Sequence, residues 1–377
     1  MTSSSSLCRI LAIVIFTSAG ISAAASPLPV KGAYYPSWFA DTFPASAIDT
    51  SLFTHILYAF LSPSNETYRF EISASTAALL SNFTSSLRRK TPRVKTLISI
   101  GGGSAGPTLY AQMASSVATR KAFIDSSISV ARRFGFDGLD LDWEFPENPA
   151  QMDDFSQLLA EWRTAVNREA RSTRRPPLLL TAAVYFASDF FLSDVYRAYP
   201  AASIARNLDF INAMCYDYHG SWDTSATGAH AAFFDPSCNV SSSYGLNSWV
   251  RAGVPRRKVI MGLPLYGKSW KLKDPNVNGV GAPAVGVGPG DVGILFYYQV
   301  VKFNRDNSAK VVFDRTTVST YSYVGTTWIG YDDVKSTTTK IRLAKNMGLG
   351  GYFFWALSYD VNWQISIQAS RSWSIGH

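Results

Sequence analysis

The segment Phe136-Asp137-Gly138-Leu139-Asp140-Leu141-Asp142-Trp143-Glu144-Phe145-Pro146 constrains this chain more than any other. Acids and large apolar residues alternate through it. In a strand, alternate side chains share a face, so Asp140, Asp142 and Glu144 point one way and Leu139, Leu141 and Trp143 the other. The apolar face must be covered, and the acidic face then lines a confined interior. An edge strand with solvated acids, or a divalent-cation site, would leave the intervening leucines and tryptophan unexplained. Carboxyls stacked about 6.6 Å apart along one strand cannot all ionise cheaply in such a site. At least one keeps its proton near neutrality, which is what a general acid requires.

The rest of the chain supplies partners for that strand. Apolar runs at Lys31–Tyr35, His55–Phe60, Val94–Gly101, Leu178–Val184, Phe210–Met214, Val259–Leu263 and Gly350–Phe354 join Gly138–Trp143 as strand candidates. Most are continuous rather than alternating, as expected for strands covered on both faces. Helical patterns separate them. In Gln151–Arg171 the residues Met152, Phe155, Leu158, Leu159, Trp162 and Val166 step by three and four, and Thr119 reads as the N-cap of a second helix. Eight strands alternating with helices predict an α/β fold, a (β/α)8 TIM barrel, ahead of an open doubly wound sheet. Residues 26–270 and 339–377 would form the barrel. Residues 271–338, with Gly/Pro-rich turns, one helical stretch and three β-rich runs, read as a small α+β subdomain inserted between the seventh and eighth strands.

Residues 1–25 are set apart. One cation (Arg9), an apolar run Ile10–Phe16 and the small residues Ala23-Ala24-Ala25 predict a secretory signal peptide. The mature chain is then expected to be exported, either to the cell exterior or to the vacuole. Asn65, Asn82 and Asn239 head Asn-x-Ser/Thr sequons that fit that route. Beyond Cys8 only Cys215 and Cys238 remain. They either form one disulfide or leave Cys215 as a buried free thiol. With four His and no Cys/His metal spacing, no metal and no cofactor is expected. The formal charge is +8, from 35 Lys and Arg against 27 Asp and Glu. The cations are scattered, with short clusters such as Arg88-Arg89-Lys90 and Arg256-Arg257-Lys258, so neither nucleic acid nor a membrane is expected as partner. Aromatic residues, by contrast, make up 14% of the chain. Their flat faces suit a neutral sugar polymer.

Asp137-Gly-Leu-Asp140-Leu-Asp142-Trp-Glu144 resembles the DGxDxDxE signature of the family 18 glycoside hydrolases, and the resemblance is strongest to plant class V chitinases. It extends over the mature chain. Ser99-Ile100-Gly101-Gly102 is similar to the family's SxGG motif, Met214-Cys215-Tyr216-Asp217 to its M-x-Y-D motif, and Leu263-Pro264-Leu265-Tyr266-Gly267 to its seventh-strand motif. Trp355 falls where the family has its floor tryptophan.

The resemblance implies site roles. Glu144 would be the acid/base, Asp142 would orient the substrate's acetamido N–H, and Tyr216 would hold the acetamido carbonyl oxygen. Asp140 would share a proton with Asp142, supported by Ser99, and Asp137 would be structural. Trp355 would be the stacking floor. Asp217, Tyr266, Tyr35, Phe60 and Met214 would line the cleft, with Trp222 and Trp328 as lesser candidates. The implied activity is a monomeric endo-chitinase acting on chitin or chitooligosaccharides, cleaving β-1,4-linked N-acetylglucosamine with retention through an oxazolinium intermediate. The alternatives are a lectin-like chitin-binding protein of the same fold and a hydrolase of the same mechanism on another N-acetylglucosamine glycan.

Overall fold

The computed structural model describes residues 29–374. The leader-like segment 1–25 lies outside these residues. Eight strands close a barrel: β1 (Val30–Pro36), β2 (His55–Leu61), β3 (Lys95–Gly101), β4 (Gly138–Asp142), β5 (Leu179–Tyr185), β6 (Phe210–Met214), β7 (Val259–Pro264) and β8 (Gly351–Trp355). Each is parallel to both neighbours, and β8 pairs with β1 to complete the circle. All eight expected strands are present. They were legible because each is covered outside by helices and inside by opposing strands, so both faces carry apolar residues.

The covering layer follows the same logic. Helix Pro149–Thr173 buries Met152, Phe155, Leu158, Leu159, Trp162 and Val166, the stripe its spacing predicts. Asn148 caps it by accepting the Gln151 amide N–H. Helix Val117–Phe134 starts earlier than expected. Ser116 is its N-cap and accepts the amide N–H of Thr119, so Thr119 sits in the first turn rather than at the cap. Cys215 is buried and Cys238 exposed, both as free thiols, so the bridge left open by the sequence is not formed.

After β7 the chain leaves the barrel. Strand Tyr266–Leu272 pairs antiparallel with Ala284–Val287, Ile294–Phe296 and Thr327–Tyr331, and Ser319–Val324 and Lys310–Asp314 extend the sheet. Helix Tyr297–Asp306 packs beside it. This sheet starts at Tyr266 and has its own core of Trp270, Leu272, Ala282, Ala284 and Trp328. The strand Tyr266–Leu272 therefore spans residue 271, where the inserted segment is expected to begin. A second departure is the hairpin Asp189–Leu192/Val195–Ala198 after β5, which no hydrophobic period signals.

Candidate active site

The register of β4 fixes the centre of the site. Asp140 lies opposite Ser99 of β3 and Thr181 of β5, and Asp142 opposite Gly101 and Ala183. Gly101 has φ +122°, and a Cβ there would lie 2.0 Å from the Asp142 carbonyl oxygen. Only glycine permits that approach. The adjacent Gly102 (φ +91°) lies against the Phe60 ring. At the mouth, three non-proline peptide bonds are cis: Ala59–Phe60, Glu144–Phe145 and Trp355–Ala356.

Asp140 is the deepest acid and is fully buried. Four donors converge on it. Thr181 Oγ1 (2.5 Å) and Asn212 Nδ2 (3.5 Å) reach Oδ1, and Ser99 Oγ (2.8 Å) and Tyr34 OH (2.9 Å) reach Oδ2. Burial lifts its pKa, and the four hydrogen bonds pull the other way. Asp142 has no such support: its Oδ1 is buried without a partner. Burial first, then the charges of Glu144 and Asp140, push its pKa well above the usual carboxylate range. The proton of this pair therefore belongs on Asp142, while Asp140 is the better solvated by protein dipoles.

Glu144 stands at the rim. Burial chiefly, and the charge of Asp217 next, lift its carboxyl to about 7, against the pull of a Gly103 N–H bond. Asp217 moves oppositely. Burial would raise it, but His230 Nδ1 at 3.7 Å, Lys268 Nζ at 3.1 Å and the Tyr266 hydroxyl at 2.8 Å outweigh burial and hold it at about 2. Its side chain is 44% exposed, so water screens part of each contribution. The site thus holds a proton donor at Glu144 beside a permanent anion at Asp217.

Asp142, Glu144 and Asp217 line a pocket of about 140 Å3 together with Tyr34, Phe60, Met214, Tyr216, Tyr266 and Trp355. Trp355 and Phe60 stack with centroids 5.5 Å apart and planes at 20°, which makes a flat aromatic floor. Tyr35 is not in this pocket. Its ring packs on Tyr58 and on Phe83 of helix Ala74–Arg88, and its hydroxyl donates to the Phe43 carbonyl. The inward residue is Tyr34, one position earlier. Trp328 is 0% exposed inside the inserted sheet and cannot meet a ligand. Trp222 is 63% exposed, with the Lys268 ammonium 5.2 Å from its ring centroid. Asp137 lies at the opposite end of β4, between Arg93 and Lys95.

Sequence reasoning missed Tyr34, Thr181, Asn212, Lys268, His230 and Trp38. Trp38 is 56% exposed and stacks on Phe60 at 6.2 Å. The signal for Thr181 and Asn212 was there: each is the lone polar side chain within an apolar strand, and a buried polar group needs a buried partner.

Residues 31–360 match the family model described as Glycosyl hydrolases family 18. The chain is 53% identical over 350 residues to "Nod factor hydrolase protein 1" of Medicago truncatula, covering 91% of this chain and 90% of that one. It is 50% identical over 348 residues to "Class V chitinase CHIT5b" of the same plant, covering 92% and 91%. The crystal structure of a class V chitinase mutant from Nicotiana tobaccum in complex with NAG4 superposes with a TM-score of 0.87 at 43% identity, over 92% of this chain and 99% of that one. An acid lifted to neutrality just past the fourth strand of a closed barrel, the aromatic floor beside it and these matches agree: the chain belongs to glycosyl hydrolases family 18 and is a glycoside hydrolase of the chitinase type.

Proposed function

We propose that this enzyme hydrolyses internal β-1,4 linkages between N-acetylglucosamine units, with retention, by participation of the substrate's own acetamido group. The observation that carries the reading is Glu144, its carboxyl lifted to about 7, in one pocket with Asp142 and the Trp355–Phe60 floor. With a sugar on that floor, Glu144 donates its proton to the glycosidic oxygen as the C1–O bond breaks. The acetamido carbonyl oxygen bonds to C1 and gives an oxazolinium ion. The Tyr216 hydroxyl donates to that oxygen and holds it for attack. Asp142 hands its proton down to Asp140 and, as a carboxylate, accepts the acetamido N–H and balances the positive charge that develops there. Glu144, now a carboxylate, takes a proton from the water that opens the ring at C1. Two inversions leave the β-anomer. Asp140 supports Asp142 from below without touching substrate. The leader-like segment and the exposure of Asn65, Asn82 and Asn239 support an exported glycoprotein.

The test is time-resolved product analysis on a chitooligosaccharide with wild type and Glu144→Gln. The expected products are initially β, and the variant loses about 10³-fold or more in turnover while keeping sugar binding. Initial α-product would overturn the acetamido mechanism. Binding without wild-type turnover would make the protein a lectin. The similarity to a protein named Nod factor hydrolase favours a second reading, in which an acylated chitooligosaccharide is the preferred substrate. Specificity constants for acylated and free oligomers of equal length separate the two, and preferential cleavage of a high-mannose glycopeptide would exclude both.

A further inference from the structure

Cations that are scattered along the sequence are gathered by the fold. In a (β/α)8 barrel every helix-to-strand turn lies at the end opposite the catalytic mouth. The turn before β3 carries Arg88-Arg89-Lys90, Arg93 and Lys95 with no acid among them. The turn before β4 carries Arg132 and Arg133, and that before β5 carries Arg171, Arg174 and Arg175.

These three turns are joined in space. Arg88 Nη2 donates to the Gly135 carbonyl at 2.9 Å. Arg93 and Lys95 each stand 3.6 Å from Asp137, and Arg132 binds both Glu169 (2.6 Å) and the Pro176 carbonyl (2.9 Å). Asp137 and Glu169, the acids of these turns, are thus already engaged by cations. Arg93, Lys95, Arg132 and Pro176 line one trough of 560 Å3. It meets at Leu179 a second trough of 630 Å3 lined by Arg257, by Lys258, whose ammonium donates to the Ala205 and Leu208 carbonyls, and by Asp209, which Arg163 engages at 2.7 Å. Arg89, Arg133, Arg174 and Arg175 stand exposed around them.

We infer that this barrel end is a docking face for a linear polyanionic polysaccharide of the uronic-acid type, which holds the enzyme on an acidic matrix while the catalytic mouth faces away. The charge selects a polyanion, and the excess of guanidinium groups suits carboxylates, which arginine binds in bidentate fashion. Nucleic acid fits less well. Phe136 borders the first trough and Phe210 and Trp373 the second, but all three are buried, and the exposed aromatics Trp38, Phe191, Tyr196, Trp222, Phe234 and Tyr298 lie off these turns, so bases would find no exposed stacking face here. The inference leans on export from the cell. It is scored by binding rather than turnover, so its failure leaves the hydrolytic reading where it stands.

The experiment is retention of the full-length mature enzyme on immobilised polygalacturonate, with fully methyl-esterified pectin as the uncharged counterpart and a DNA duplex as the competing polyanion. Wild type is expected to bind polygalacturonate, to be released by about 0.5 M NaCl and to ignore the esterified polymer. Substituting Arg89, Arg93, Arg133 and Arg175 together by Gln should weaken binding by about tenfold or more and leave chitooligosaccharide hydrolysis unchanged. A control with Lys271, Lys273, Arg305 and Lys310 changed to Gln loses the same charge from the inserted subdomain and should bind as wild type does. Equal weakening by both sets would show a net-charge effect and overturn the docking face. So would equal binding to esterified pectin, tighter binding to DNA, or no binding at low salt.

Discussion

Glu144 and Asp217 divide one electrostatic problem between them. Glu144 must hold a proton to act, and Asp217, ionised across the working range, helps it do so. Activity at limiting substrate should therefore fall as pH rises through about 7, where Glu144 ionises. Asp217→Asn removes the anion and should move that alkaline limb to lower pH, whereas Lys268→Met removes the cation beside Asp217 and should move it higher; pH profiles of kcat/KM decide both. The same shift bears on stability. The folded pKa of Glu144 exceeds the unfolded value of about 4.3, so its stabilising contribution is complete below that value and is lost as pH rises through about 7. Thermal unfolding of Glu144→Gln should thus gain on wild type as pH is raised from about 5 to 8. The neighbours Tyr34 and Tyr35 show the limit of reading single residues. Both are aromatic, both are buried, and their pattern does not say which one faces inward. Tyr34→Phe removes a donor from Asp140 and an acceptor from Asn212 and should cost about 1.5–3 kcal/mol as well as activity. Tyr35→Phe should leave kcat close to wild type.

At the scale of elements, strands and long helices were legible because burial on defined faces is written directly in apolar spacing. What escaped was set by local polar chemistry or by weak burial. Ser116 and Thr119 are both good caps, and only the backbone decides between them. The hairpin Asp189–Ala198 has most of its side chains in water, so it carries no clean period. Helix Val334–Asn346 depends on a contact no pattern announces. Its Lys340 is buried against Asp332 at 2.6 Å, just after the last strand of the inserted sheet, and it also donates to the Ala231 carbonyl. Lys340→Met would strand the Asp332 carboxylate in the interior and should destabilise by about 3–5 kcal/mol. Changing both residues to apolar ones should recover most of that loss. Chemical denaturation of the single and double variants measures it.

Across the whole molecule, one end of the barrel carries the candidate site and the turns at the other carry clustered arginines. The division follows from topology alone, since strand-to-helix loops and helix-to-strand turns face opposite ways. Composition hinted at both ends, through many aromatics and a modest net charge, without placing either. The sequence by itself determined the barrel and the acidic strand, and it named Glu144, Asp142 and Tyr216 as candidates, which the structure brings to one pocket. These depend on periodicity and on motifs that are local in the chain. Only the tertiary structure decided that Tyr34 rather than Tyr35 faces Asp140, that Thr181 and Asn212 complete its donors, that Trp328 is core, and that the scattered arginines form one face. Each of those depends on closing the strands into a ring, because closure sets which residues from distant segments meet, and no window along the chain contains that information.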